Sequence, residues 1–120
     1  MPNKRVTHFR SNAFTAQNGR CYYCSLPMWH RDSAEFRAQY NLTSSDARLL
    51  QCTAEHLQAR KDGGGDFAEN IAAACLWCNR RRHQRRKPME VDRYRRWVSK
   101  RVQKGRWHQP RVLKALGIQV

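Results

Sequence analysis

The sequence predicts a small α+β domain, a short β-hairpin with flanking helices, pinned by a metal ion. Three observations predict it. Two Cys-x-x-Cys pairs, Cys21/Cys24 and Cys75/Cys78, stand 51 residues apart from Cys24 to Cys75. Two short apolar runs flank the glycines Gly63, Gly64 and Gly65. Apolar residues in the last third of the chain recur at helical spacing. The 120 residues suffice for one domain, but a mean hydropathy of -0.92 makes the chain polar for its size. A chain of this kind gains from a staple.

The elements follow in order. The polar segment to Arg20 is expected to be an arm or loop that ends in the turn-like pair Asn18-Gly19. Cys21-Tyr22-Tyr23-Cys24, with Pro27 behind it, fits a zinc knuckle. Asp32 can cap a short helix through about Tyr40, with Phe36 and Tyr40 on one face. Ser44-Ser45-Asp46 is another possible helix start. The run Leu49 to Ala54 reads as a strand entering Glu55-His56, and Lys61 to Asp66 as a loop. Alanine favours helix, so propensity alone would not make Asn70 to Ala74 a strand. The partner run and the intervening Gly loop make it the second arm of a hairpin. A helix is expected from Cys78 to Lys87, stopping at Pro88. Val91, Tyr94, Trp97, Val98 and Val102 then mark one face of a final helix. Its other face carries Arg93, Arg95, Arg96, Lys100 and Arg101. The organisation is a basic N-terminal arm over 1–19, a core over 20–87 and a basic helical extension over 88–120.

The charge is large and uneven. The net formal charge is +15. Residues 1–75 carry 9 Lys+Arg against 7 Asp+Glu, and residues 76–120 carry 15 against 2. Such an excess favours a polyanion, above all nucleic acid, over a membrane surface or an acidic protein. No apolar run approaches membrane-spanning length. No targeting signal stands at Met1–Arg10. A cytoplasmic protein with reduced thiols is therefore expected, and there paired cysteines act as metal ligands rather than disulfides.

The two cysteine pairs can present four thiolates from two tight turns, which is the donor set of a closed, structural zinc site. Cys52 is left over, and its place in a strand makes it a core residue.

Between and after those pairs stand Glu55, His56, Asn70, Asn79 and His83. Phosphodiester cleavage needs a base to activate water and a cation to stabilise the phosphorane and the leaving oxygen. His56 has the right ordinary pKa for the base. Glu55 offers a hard oxygen to Mg²⁺ or a similar ion. Asn79 and His83, four apart, share a helix face that can bring them to the same ion. Arg80, Arg81, Arg82, Arg85 and Arg86 stand where they can hold phosphates. Trp77, Trp97 and Trp107 can stack on bases, although Trp97 lies in the apolar stripe and is better read as core. His8, His30 and His108 have no such context and read as surface residues.

The run Cys52-Thr53-Ala54-Glu55-His56-Leu57, the Gly loop, Glu69-Asn70-Ile71 and Cys75-Leu76-Trp77-Cys78-Asn79 resemble the HNH endonucleases. The likeness is to their zinc-containing subgroup and spans about Arg20 to Arg86. It implies a ββα-metal (His-Me finger) core, with a hairpin and a helix gripping one divalent cation, Mg²⁺ or Mn²⁺ or similar, beside the structural Zn²⁺. It implies that His56 is the general base and that Asn70 braces the loop and orients His56. Glu55 and Asn79 would be cation ligands, with His83 as a third. Asn79 in place of the last His makes this an H-N-N variant, and Glu55 replaces the more usual Asp. The implied activity is hydrolysis of DNA, as a nick or a double-strand cut, leaving a 5′-phosphate and a 3′-hydroxyl. DNA contacts are expected from the arginine run and from Arg95 and Arg96. Monomer and homodimer are both open, because one such site cuts one strand at a time. The rival reading is a non-catalytic, zinc-stabilised module that binds nucleic acid by charge.

Overall fold

The computed structural model describes residues 3–118. The outermost ends of the expected N-terminal arm (1–2) and C-terminal extension (119–120) lie outside them. Among the described residues six α-helices accompany a two-stranded antiparallel sheet: α1 (Lys4–Ala16), α2 (Ala34–Tyr40), α3 (Ser44–Arg48), β1 (Cys52–His56), β2 (Ile71–Cys75), α4 (Leu76–His83), α5 (Val91–Gln103) and α6 (Pro110–Ala115).

The segment expected to be an arm is instead a helix. Asn3 caps α1 by accepting a hydrogen bond from the Arg5 N–H. The helix ends where Asn18 and Gly19 take positive φ and the Gly19 N–H returns to the Phe14 carbonyl. No residue of α1 is fully buried, so hydropathy alone does not mark it. It is anchored by polar contacts: the Gln17 side chain, just beyond it, exchanges hydrogen bonds with the N–H and carbonyl of Ala73 on β2. The chain then folds into the knuckle, where the Cys21 N–H bonds the Leu26 carbonyl and Arg20 bridges Pro27.

Helices α2 and α3 form where expected. Asp32 accepts from the Ala34 N–H at the head of α2, and the Phe36 and Tyr40 rings lie 4.9 Å apart. The cap of α3 is Thr43, whose hydroxyl accepts from the Asp46 N–H. The hairpin pairs Cys52 with Cys75 and His56 with Ile71. Its first strand begins at Cys52, later than expected, because Leu49 and Leu50 close the turn after α3. Alanine-rich β2 is fully buried; small side chains let α1 and α4 both pack against it. The connecting loop depends on Gly64, where a Cβ would stand 1.8 Å from the Gln58 carbonyl oxygen.

Helix α4 starts at Leu76 and ends at His83, short of Lys87. Its Cys75 cap accepts from the Cys78 N–H. The crowd of like charges beyond Arg82 and the approach to Pro88 leave nothing to sustain another turn. Tyr94 and Val98 on α5 are buried, as are Trp107 and, on α6, Val112 and Leu113. The extension thus contributes these five side chains to the core, with the apolar face of α5 turned inward as its spacing predicts. Among the described residues no helix is long and apolar enough to cross a membrane.

Candidate metal centres and active site

The four cysteines of the two pairs come together. Their sulfurs all lie within 4.8 Å of one another, and Cys24 Sγ is 3.9 Å from Cys75 Sγ. A tetrahedron with metal–sulfur bonds of about 2.3 Å has edges of roughly 3.8 Å, so the cluster fits zinc. All four residues are buried. Burial pushes the Cys75 and Cys78 thiols up. Burial also opposes the Cys21 thiolate, but hydrogen bonds from Cys24, Cys75 and Cys78 outweigh it and bring Cys21 well down. Packing thus readily supports a first thiolate only, and four together require a cation. Backbone N–H groups of Tyr23 and Cys75 aim at Cys21 Sγ. Cys52 is buried beside the cluster without belonging to it.

Two residues with other expected places belong to this centre: Trp107, a candidate for stacking on bases, and His108. Trp107 is buried and donates its indole N–H to Cys78 Sγ at 3.2 Å. His108, read as a surface histidine, is buried: its Nε2 lies 3.7 Å from both Cys24 and Cys75 sulfurs and its ring stacks on Trp77. Burial pushes its pKa down to about 4. No spacing rule connects a residue 30 positions beyond Cys78 to the cluster; α5 and α6 bring it there. His30 is also partly covered, with its ring 4.1 Å from that of Phe14, whereas His8 is exposed.

The second centre lies at the far end of the hairpin. Ala54, Glu55, His56, Ala59, Arg60, Asn79 and His83 line an open cleft of about 370 Å³. Strand β1 delivers Glu55 and His56, and α4 delivers Asn79 and His83, one turn apart. Glu55 is 1% exposed. Its Oε2 accepts from the Tyr23 hydroxyl at 3.0 Å and lies 3.4 Å from Arg82, while its Oε1 lies 2.9 Å from His83 Nε2. Burial and the Glu55 charge both raise the Tyr23 pKa, which keeps that hydroxyl a donor. The amide N of Asn79 donates to Thr53 Oγ1 and to the Ala54 carbonyl, which leaves its oxygen uncommitted. Glu55, Asn79 and His83 all line this cleft and carry O, O and N donors of the kind a hard or borderline divalent cation takes.

Asn70 is buried beneath the loop. It accepts from the Gln58 N–H and donates to the carbonyls of Gln58 and Gly65. The side chain on His56 is a different one, which the sequence pattern did not single out. Asp66 Oδ1 sits 2.7 Å from His56 Nε2, and Arg60 holds the same carboxylate through two nitrogens. The His56 and Arg60 hydrogen bonds hold the Asp66 carboxyl below the usual range. Asp66 lies at the end of a Gly-rich loop, where an acid reads as an ordinary turn residue. Its only signal was a position ten residues after a candidate base.

The arginines separate into two groups. Arg82, expected on phosphate, is buried and spends its guanidinium on Glu55 and the carbonyls of His56, Leu57 and Met89. It points inward because its position on α4 faces the buried Glu55. Arg80, Arg81, Arg85, Arg86, Arg95 and Arg96 are exposed. Arg95 lies 4.2 Å over the Tyr22 ring, and Arg81 lies 4.0 Å over Trp77.

No curated protein and no solved structure matches the chain. Residues 42–85 match the model of the HNH endonuclease family. That span contains the hairpin, the Gly loop, α4 and every residue of the second cleft.

Proposed function

We propose that the protein is a metal-dependent DNA endonuclease that hydrolyses phosphodiester bonds. The observation that carries this reading is the meeting of Glu55, His56, Asn79 and His83 in one cleft, next to exposed arginines. Binding by charge alone needs none of those four side chains.

A divalent cation, Mg²⁺ or Mn²⁺, held by Glu55, Asn79 and His83 supplies charge neutralisation at the phosphate and its leaving oxygen. The chain's own residues do the rest. Asp66 accepts the Nε2–H of His56, which fixes the tautomer and leaves Nδ1 free to take a proton from water. The water oxygen bonds to phosphorus as the bond to the 3′-oxygen breaks, giving a 5′-phosphate and a 3′-hydroxyl. Asn70 holds the loop that carries Asp66 and so acts on His56 at one remove. Tyr23 and Arg82 hold the Glu55 carboxylate in place. Arg80, Arg85 and Arg86 hold flanking phosphates, and zinc in the Cys21, Cys24, Cys75, Cys78 site fixes the hairpin against α4.

The test is the chemistry of the ends. DNA cut by the zinc-loaded protein with Mg²⁺ or Mn²⁺ is expected to be resealed by a ligase that requires a 5′-phosphate and a 3′-hydroxyl. Cut ends that resist ligation contradict this mechanism. Binding without cutting leaves the zinc-stabilised binding module in its place.

A further inference from the structure

On the side of α4 away from Asn79 and His83 lies a partly open pocket of about 210 Å³. Tyr94, Trp97, Trp107 and Met89 form its apolar walls. Arg81, Gln84 and Arg85 stand at its mouth, with Arg82 behind them. The rings are pre-set rather than loosely packed. Tyr94 donates its hydroxyl to the Cys78 carbonyl at 2.7 Å, and Trp107 donates to Cys78 Sγ. The Trp97 ring stands against Trp107 at 5.3 Å and 78°, which leaves it half-buried at the pocket's edge. Among the described residues neither Arg81 nor Arg85 has a carboxylate partner, whereas Arg60, Arg82 and Arg111 do.

An aromatic box can hold a cation or a flat uncharged ring. Arginines at the mouth exclude the first. They favour a flat ring that arrives attached to negative charge, which describes a nucleobase on its phosphate backbone. A base can enter only when it is unstacked and unpaired. Residues two apart on a helix point about 200° away from one another, so Arg81 and His83 serve opposite sides of α4. The pocket therefore lies across one helix from the cleft, a width of about 10–12 Å. A single strand, more extended than the 3.4 Å per nucleotide of stacked duplex, crosses that width in about three nucleotides or fewer.

We infer that this pocket takes an unpaired nucleobase of single-stranded DNA, a few nucleotides from the phosphate in the cleft. The inference rests on the nucleic-acid part of the proposed function but not on catalysis. It makes the pocket a substrate-selecting site: strands with an unpaired base near the cut are engaged more tightly than closed duplex.

The test is fluorescence anisotropy with labelled hexathymidylate and the same backbone bearing abasic sugars, without divalent cation and with the full zinc-loaded chain. Intact hexathymidylate is expected to bind about tenfold more tightly than the abasic strand, the scale of one stacked base. Trp97→Ala is expected to remove that difference, while Arg85→Ala weakens both strands alike. Zinc content and circular dichroism check the fold of each variant. If Trp97→Ala does not fold, Gln84→Trp at the exposed mouth blocks entry and carries the same expectation. Equal binding of the two strands, or a difference that survives these variants, overturns the inference. A protein that cuts no DNA but shows the base-dependent difference overturns only the catalytic reading.

Discussion

Glu55 and His83 lie side by side, with 2.9 Å between Oε1 and Nε2, although 28 residues separate them in the chain. The contact ties the end of β1 to the end of α4. It also sets a buried carboxylate between a histidine on the cleft and the buried Arg82.

Glu55 and Arg82 are expected to fail in different ways. Glu55→Gln keeps the volume and the Tyr23 partner and leaves Arg82 its carbonyl partners at His56, Leu57 and Met89, so its stability cost should be the smaller one, but it loses the charge that draws a cation, and cleavage should drop at least about 10²-fold. Arg82→Ala leaves Glu55 buried without its counter-charge and should cost about 3–5 kcal/mol of stability. Urea unfolding alongside cleavage separates the two; an Arg82→Ala protein as stable as the parent contradicts the account.

The four-cysteine centre is expected to hold one zinc per chain and to be required for the fold. Cys75→Ser should lose the metal and the far-ultraviolet helix signal together, because a serine hydroxyl can still cap α4 but cannot replace the thiolate that the zinc site needs. Metal analysis with circular dichroism reads both. A folded, zinc-free variant contradicts the structural role.

Asp46 is buried and takes two nitrogens of Arg111 from α6. The Arg111 hydrogen bonds outweigh burial and hold the Asp46 carboxyl below its ordinary value. A depressed folded pKa adds stability that is present above the unfolded value of about 3.9 and lost as pH falls through the folded one. Arg111→Ala should therefore lower stability by a small, constant amount from neutral pH down to about 5, small because Arg111 is 68% exposed. The gap to the parent should narrow only below about pH 4. Denaturant unfolding with zinc in excess at each pH checks it, and a gap that narrows between pH 7 and 5 contradicts it.

The salt dependence of DNA binding should fall with single exposed arginines. Deleting the chain from Pro88 would remove Tyr94, Val98, Trp107 and Leu113 from the core and report on unfolding instead. Arg80→Ala with Arg86→Ala should reduce the slope of log affinity against log salt by about 0.9 for each phosphate left without its cation. An unchanged slope removes these residues from the interface.

The features legible in the sequence are those written locally. Two Cys-x-x-Cys pairs declare four ligands, Gly63 to Gly65 declare a loop, and the Val91 to Val102 stripe declares a buried face. Long-range relations were silent. Helix α1 buries no residue fully and is placed by Gln17 on Ala73. Arg82 differs from its neighbours Arg81 and Arg85 only in facing Glu55. His108 reaches the cysteine cluster through the path of α5 and α6, and Asp66 reaches His56 through the curl that Gly64 permits. Each depends on tertiary placement that no spacing encodes.

The most direct test of the central claim is supercoiled-plasmid cleavage by the zinc-loaded protein with added Mg²⁺ or Mn²⁺, with EDTA as control and His56→Ala in parallel. The expected result is metal-dependent conversion to nicked or linear DNA that EDTA stops and His56→Ala lowers by at least about 10²-fold. Cleavage at an undiminished rate by folded His56→Ala contradicts His56 as the base, and plasmid that is bound but intact under every metal contradicts the nuclease itself.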